Sequence, residues 1–234
     1  MLFKYQYIVN LLFVFLSYIC VAQDSIPSIE EDHRYREDQF YMGVSYNLIS
    51  SAPSGVKLKG VSGGIQLGYL RDMPINEKRN IALAVGLGLT LDQFGQNLFI
   101  DENSLGETTF TVLDSDVEYT SNRFSFATVE IPFEFRWRSS TPSTFKFWRV
   151  YTGVRIGYSF WNNASLKQSG VKISTSSINE FDPLRLGATL SFGYSTFNFF
   201  AYYSLNPFFN DAVTTDGQKV DMKALKVGII FYIL

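Results

Sequence analysis

The chain of 234 residues holds one cysteine, Cys20, and one histidine, His33. With no cysteine after residue 20, disulfide frameworks, cysteine-based metal centres and thiol nucleophiles are excluded from the rest of the chain. A histidine-dependent nucleophilic hydrolase would have only His33 as its base, and that residue lies in charged, unpatterned sequence. Beyond the N-terminal stretch, no segment approaches the roughly 18 consecutive apolar residues that a membrane-spanning helix needs. Basic residues do not cluster and the formal net charge is −2, so nucleic acid is not an expected partner.

What is abundant is aromatic. Phe, Tyr and Trp make up 17% of the chain, more than a soluble core of this size calls for, and the surplus implies a second apolar environment.

The first residues, "MLFKYQYIVNLLFVFLSYICVAQDS", combine Lys4, an apolar run and a Cys20-Val21-Ala22 cleavage site. Residues 1–22 therefore read as a secretory signal peptide, with a retained membrane anchor as the alternative. Residues 23–37, "QDSIPSIEEDHRYRE", are charged and aromatic-poor, and read as a mobile periplasmic segment.

From residue 38 onward, alternation of apolar and small or polar residues recurs eight times. It spans about 38–50, 60–71, 81–94, 122–138, 146–161, 183–195, 196–206 and 222–234. "IALAVGLGLTLDQF" (81–94) sets Ile81, Leu83, Val85, Leu87, Leu89 and Leu91 against Ala82, Ala84, Gly86, Gly88, Thr90 and Asp92. The later strands put Glu130, Glu134, Arg136, Arg149, Arg155 and Arg185 among glycines and hydroxyls on the non-greasy face. The seventh and eighth segments are apolar on both faces and leave their orientation open. A continuous apolar exterior around a narrow polar interior predicts an all-β fold: an eight-stranded antiparallel transmembrane β-barrel of the outer membrane over residues 38–234.

The connections agree with this reading. Gaps after the second, fourth and sixth strands are short, while residues 95–121, 162–182 and 207–221 form longer polar loops. Short periplasmic turns, long external loops and two periplasmic termini are expected of such a barrel. Trp137 and Trp148 flank one short turn, and Trp161 closes the far end of its strand. The rise from Trp148 to Phe160 comes to about 30 Å in a tilted strand, the thickness of a hydrocarbon core. Pro132 lies inside the fourth strand, where it predicts a bulge or weak pairing. The final "KVGIIFYIL" alternates as a barrel-insertion signal would, without the terminal Phe common in such signals.

The inward charges form a candidate network across the fourth and fifth strands. Depending on register, Glu134 faces Arg149 or Glu130 faces Arg155. A structural plug is the reading that a confined lumen supports, against a charged pore or proton relay. Carboxylates beside arginines make poor general acids, so no catalytic residue, cofactor or metal site is expected. Asp101, Glu102, Asp114, Asp116 and Glu118 match no calcium-loop spacing and read as a solvated acidic loop.

Three stretches carry a family resemblance: "GYLRDMPINEKRNIALAVGLGL" (68–89), "VEIPFEFRWRSSTPSTFKFWRVYTGVRIGY" (129–158) and "YYSLNPFF" (202–209). They resemble the PorT family of outer-membrane barrels from Bacteroidota, which is associated with type IX protein secretion and, in gliding species, with motility. The resemblance implies a non-enzymatic assembly or docking role alongside outer-membrane lipid and other secretion-system membrane or periplasmic proteins. A small porin-like or ligand-binding barrel is the alternative. The turn at 71–80 is a candidate docking surface, with Arg71, Asp72, Met73, Pro74 and Ile75 placing an apolar centre inside a charged rim.

Overall fold

The computed structural model describes residues 38–139 and 147–233. The stretches read as signal peptide (1–22) and N-terminal segment (23–37), and most of the turn at 139–147, lie outside the described residues. Among the described residues the regular structure is entirely strand and turn.

Eight strands build the wall: β1 (Gln39–Ser50), β2 (Gly63–Pro74), β3 (Ile81–Gly95), β6 (Ser121–Arg138), β7 (Trp148–Gln168), β9 (Leu184–Tyr194), β10 (Phe197–Ser204) and β11 (Lys223–Ile233). Three further strands, β4 (Leu98–Glu102), β5 (Thr108–Val112) and β8 (Val171–Ser176), lie in the long connections. The order β6-β3-β2-β1-β11-β10-β9-β7 closes on itself because β6 also pairs with β7. Every pairing in the ring is antiparallel, and β1 closes against β11 from Phe40↔Ile233 to Ser50↔Lys223. The described chain thus begins and ends at the short-turn end.

Closure leaves no edge in the ring, and the period-2 alternation decides which side chains face in. On β1, Phe40 is 62% exposed while Tyr41 beside it is 2% exposed. The same alternation settles the two ambiguous strands. Phe197, Phe199 and Tyr203 point outward, whereas Asn198, Phe200, Tyr202 and Ser204 are buried. On β11, Val227, Ile229, Phe231 and Ile233 face out, and Lys226, Ile230 and Tyr232 are buried.

The small inward residues make room for large neighbours. A Cβ on Gly88 would lie 2.0 Å from the Tyr41 hydroxyl, and one on Gly187 would lie 2.1 Å from the Tyr202 ring. On the bare face of β3, Gly88 leaves room for the Tyr41 side chain, whereas a Cβ on Gly86 would meet the Tyr69 backbone carbonyl at 1.9 Å.

Some boundaries differ from the sequence reading. β2 continues to Pro74, since Asp72 and Pro74 still pair with Ala84 and Ala82. β7 runs beyond Trp161 to Gln168 because it gains β8 as an additional partner. Pro132 does weaken its ladder. The β3–β6 pairs step from Val85↔Phe133 to Gly88↔Glu130, leaving Pro132 and Ile131 out, while Pro132↔Arg155 persists on the other side. The register shift itself falls at Ala127/Thr128, opposite the Ser159–Trp161 stretch of β7.

The long connections are not simply polar loops. β4 and β5 pair as a hairpin. Phe94, Phe124, Phe126, Phe181, Phe208 and Phe209 meet beneath it in a buried cluster, with ring centroids 5.0–6.3 Å apart. Phe94, Phe124 and Phe126 continue the inward series of β3 and β6, but Phe181, Phe208 and Phe209 lie outside every strand, so periodicity could not reveal the cap they form together.

The outward belt includes Leu83, Leu87, Phe133, Phe160, Phe192 and Phe199, all exposed. Such a surface needs an apolar solvent. The purified protein should stay folded in detergent micelles and migrate differently on a gel before and after boiling. A monodisperse, detergent-free monomer would contradict the fold.

Candidate functional site

The lumen holds the chain's densest chemistry, arranged in tiers from the short-turn end toward the loops. At the short-turn end Arg136 and Arg138 share one carboxylate. Arg136 Nη1 donates to Asp72 Oδ1 at 3.2 Å, and Arg138 Nη1 donates to Asp72 Oδ2 at 2.9 Å. Arg136 Nε also reaches Glu134 Oε2 at 3.1 Å. The Arg136 guanidinium lies 4.7 Å from the Tyr151 ring centroid and 5.8 Å from that of Tyr232. Arg149 donates to the Ser195 carbonyl at 2.5 Å and stacks over Phe147 at 4.4 Å.

In the middle tier Arg155 donates to Glu130 and, at 2.6 Å, to Gln66 Oε1. Tyr41 and Phe200 sit against its guanidinium at 5.4 and 4.9 Å. Arg155 Nε and Nη2 have no hydrogen-bond partner among the described residues, and the two flanking rings stabilise the remaining charge through their faces.

Nearer the loops Lys226 pairs with Asp92, which also accepts from Asn47 Nδ2 at 3.0 Å, and the Lys226 ammonium lies 4.6 Å from the Tyr202 centroid. Arg185 donates to the Asp182 carbonyl at 2.5 Å and stacks on Phe181 at 5.1 Å. The phenylalanine cap closes this end. Between the tiers lie two cavities of about 10 Å³ each, lined among others by Asp92, Tyr202 and Lys226. Each has room for about one water.

Glu130, Glu134, Arg136, Arg149, Arg155 and Arg185 all point inward and are buried. Their partners differ from the direct pairings expected from the sequence. The register sets Glu134 opposite Gly153 and Glu130 opposite Gly157, so Glu130 meets Arg155 on the diagonal. Arg149 lies across from Arg138, remote in register from Glu134.

Several members were missed: Gln66, Asp72, Asp92, Arg138 and Lys226. Asp72 had been placed on an exposed docking turn, but its carboxylate is fully buried in the network. Continuing the inward series Gly64, Gln66, Gly68, Leu70 by one step would have found it, and Asp92 stands in the inward series of β3, which runs on to Phe94. Lys226 carried no such signal, because apolar residues occupy both faces of its strand.

Of the rest of 71–80, residues 71–74 end β2 and only 75–80 form the turn. Arg71, Met73 and Ile75 are exposed, with Pro74 between the last two. Asn76 and Asn80 brace the turn with a 2.6 Å side-chain hydrogen bond. Among the described residues no group of His, Cys, Asp or Glu converges as metal ligands. In the loops, Asp101 accepts from the Thr175 hydroxyl at 3.2 Å.

Removing one partner from a buried, hydrogen-bonded charge cluster strands the others, at a cost of roughly 3–5 kcal/mol. Asp72→Ala should destabilise the folded barrel by about that amount in a urea titration. Glu107→Ala, on the exposed hairpin, should stay within about 0.5 kcal/mol of the wild type.

No curated protein matches the chain. Among solved structures, the crystal structure of Ail, the attachment invasion locus protein of Yersinia pestis, is similar at 17% identity and a TM-score of 0.38, covering 83% of this chain and 96% of that one. A second Ail structure, in complex with the heparin analogue sucrose octasulfate, is similar at 16% identity and a TM-score of 0.37, covering 85% of this chain and 99% of that one. The family model described as "Outer membrane protein beta-barrel domain" matches residues 21–210. A closed antiparallel ring with an apolar outer face fits that description, and the chain belongs to the outer-membrane protein β-barrel domain family.

Proposed function

We propose that this outer-membrane barrel serves type IX protein secretion as a non-enzymatic assembly or docking component and not as the conduit. In this reading both termini and the short turns face the periplasm, and the capped loops face outward. The observation that carries it is the filled lumen: guanidinium groups, carboxylates and rings occupy the barrel, and the two cavities between their tiers are water-sized. A wall so filled passes no cargo, and its available surfaces are its turns, its loops and its lipid-facing belt. The link to secretion rests on the PorT-like stretches 68–89, 129–158 and 202–209. The arginines and carboxylates inside neutralise one another, a packing role that requires no turnover.

The docking surface in this proposal is the reduced turn: Met73 and Ile75 as apolar contacts, Pro74 holding them apart, and Arg71, Glu77 and Lys78 as rim. Deleting the gene should abolish surface export of type IX cargo while other outer-membrane proteins still insert. Met73→Ser with Ile75→Ser should leave the barrel inserted at wild-type abundance yet lower cargo export, with partner binding weakened roughly tenfold if these side chains are hot spots. Normal export from the deletion strain would overturn the secretion role. Normal export from the double variant alone would move the docking surface elsewhere.

A further inference from the structure

Above the outer aromatic girdle, the outward face of the wall changes character. Tyr158, Phe160 and Trp161 are exposed and apolar. On the same face, the next residues toward the loops are Ser125, Arg123 and Ser121 on β6, Asn163, Ser165 and Lys167 on β7, and Ser176, Ser174 and Lys172 on β8. This strip carries three cations and no carboxylate.

The cations are close together. Lys167 lies directly opposite Lys172 on one side and Ser121 on the other, which puts Arg123 on the diagonal. Like charges directly opposite in a sheet destabilise it, so the arrangement calls for an anion. None of the three makes an ion pair among the described residues, although six other ion pairs are formed there. The Arg123 guanidinium touches only neutral oxygens, Gln93 Oε1 at 3.4 Å and Ser121 Oγ at 3.5 Å.

A second feature adjoins this strip. A groove of about 550 Å³ opens on the outer wall, with Val61, Gln93 and Ser125 at its loop end, Ile65, Leu91 and Trp161 one row below, and the buried Asp92, held by Lys226, also lining it. The Gln93 that caps the groove is the same residue that holds Arg123. A polar, cationic head above an apolar trough at the height of the girdle has the shape and polarity of one amphipathic lipid.

We propose that this face binds an anionic glycolipid of the outer leaflet, its phosphorylated saccharide held by Arg123, Lys167 and Lys172 and an acyl chain lying in the groove. The leaflet rests on the orientation given under Proposed function; the site itself rests on the side chains. Lipid is the occupant that charge complementarity and continuity with the membrane belt select. A soluble anion would account for the cations but not for the trough.

The test uses the folded full-length barrel in zwitterionic detergent, titrated with bis-phosphorylated lipid A and followed by native mass spectrometry. The triple variant Arg123→Gln, Lys167→Gln, Lys172→Gln changes only exposed side chains and should keep the wild-type heat shift on a gel. Each cation at a membrane surface contributes roughly fivefold, so losing all three should weaken binding by roughly a hundredfold. Dephosphorylated lipid A should bind the wild type about as weakly as lipid A binds the variant. Equal affinity of variant and wild type would overturn the site, and displacement of lipid A by equimolar inorganic phosphate would replace the lipid with a free anion. Orientation is read separately by labelling Leu105→Cys with an impermeant maleimide on intact cells. Labelling supports the outer leaflet, whereas protection with lipid A binding intact would overturn the orientation and leave the site standing.

Discussion

Arg136 carries a full positive charge at a point with no access to solvent, in a barrel only eight strands round. Such a charge is tolerated only with compensation on every side, and the neighbours supply it. Asp72 comes from two strands away, Glu134 from the same strand, and the rings of Tyr151 and Tyr232 from β7 and β11. Because these partners are spread round the ring, satisfying one guanidinium ties the wall together across its diameter. Arg155 repeats the device with Glu130, Gln66, Tyr41 and Phe200, and Lys226 repeats it with Asp92 and Tyr202. Arg136, Arg155 and Lys226 each have both a carboxylate and a ring because hydrogen bonds alone leave buried charge under-compensated.

That constraint reaches the backbone. Rings crossing the lumen need opposite positions with no side chain, and Gly68, Gly88 and Gly187 provide them. It also explains why the chain has two separate populations of aromatics. One population faces lipid, with Trp137, Trp148 and Trp161 near the belt margins, and the other stacks on charge or on itself inside. The barrel is closed twice over, by ion pairs along most of its length and by phenylalanines under the β4–β5 hairpin.

Much of this was legible in the sequence, for physical reasons. Lipid on one side and a tight lumen on the other enforce strict alternation, so the eight wall strands and the inward positions of Glu130, Glu134, Arg136, Arg149, Arg155 and Arg185 could be read from their period. Pairing was less legible. Which carboxylate meets which arginine depends on register and on side chains reaching across the barrel, and Asp72 with Arg136 is such a contact. Orientation was hidden wherever both faces were apolar, as on β10 and β11, because rings belong inside as well as outside. The cap was hidden where it leaves the wall strands, at Phe181, Phe208 and Phe209. Phe94, Phe124, Phe181, Phe208 and Phe209 come from four separate stretches, and only the closed wall brings them together.

The central claim is that this lumen is a plug: an eight-stranded interior filled by mutually neutralising charges and rings, with no continuous water path. Single-channel recording of the refolded protein in planar bilayers tests that claim most directly. The account predicts a silent membrane across the voltage range in which a porin of known conductance reports normally under the same conditions. Stable ohmic channels from the purified wild-type protein would contradict it.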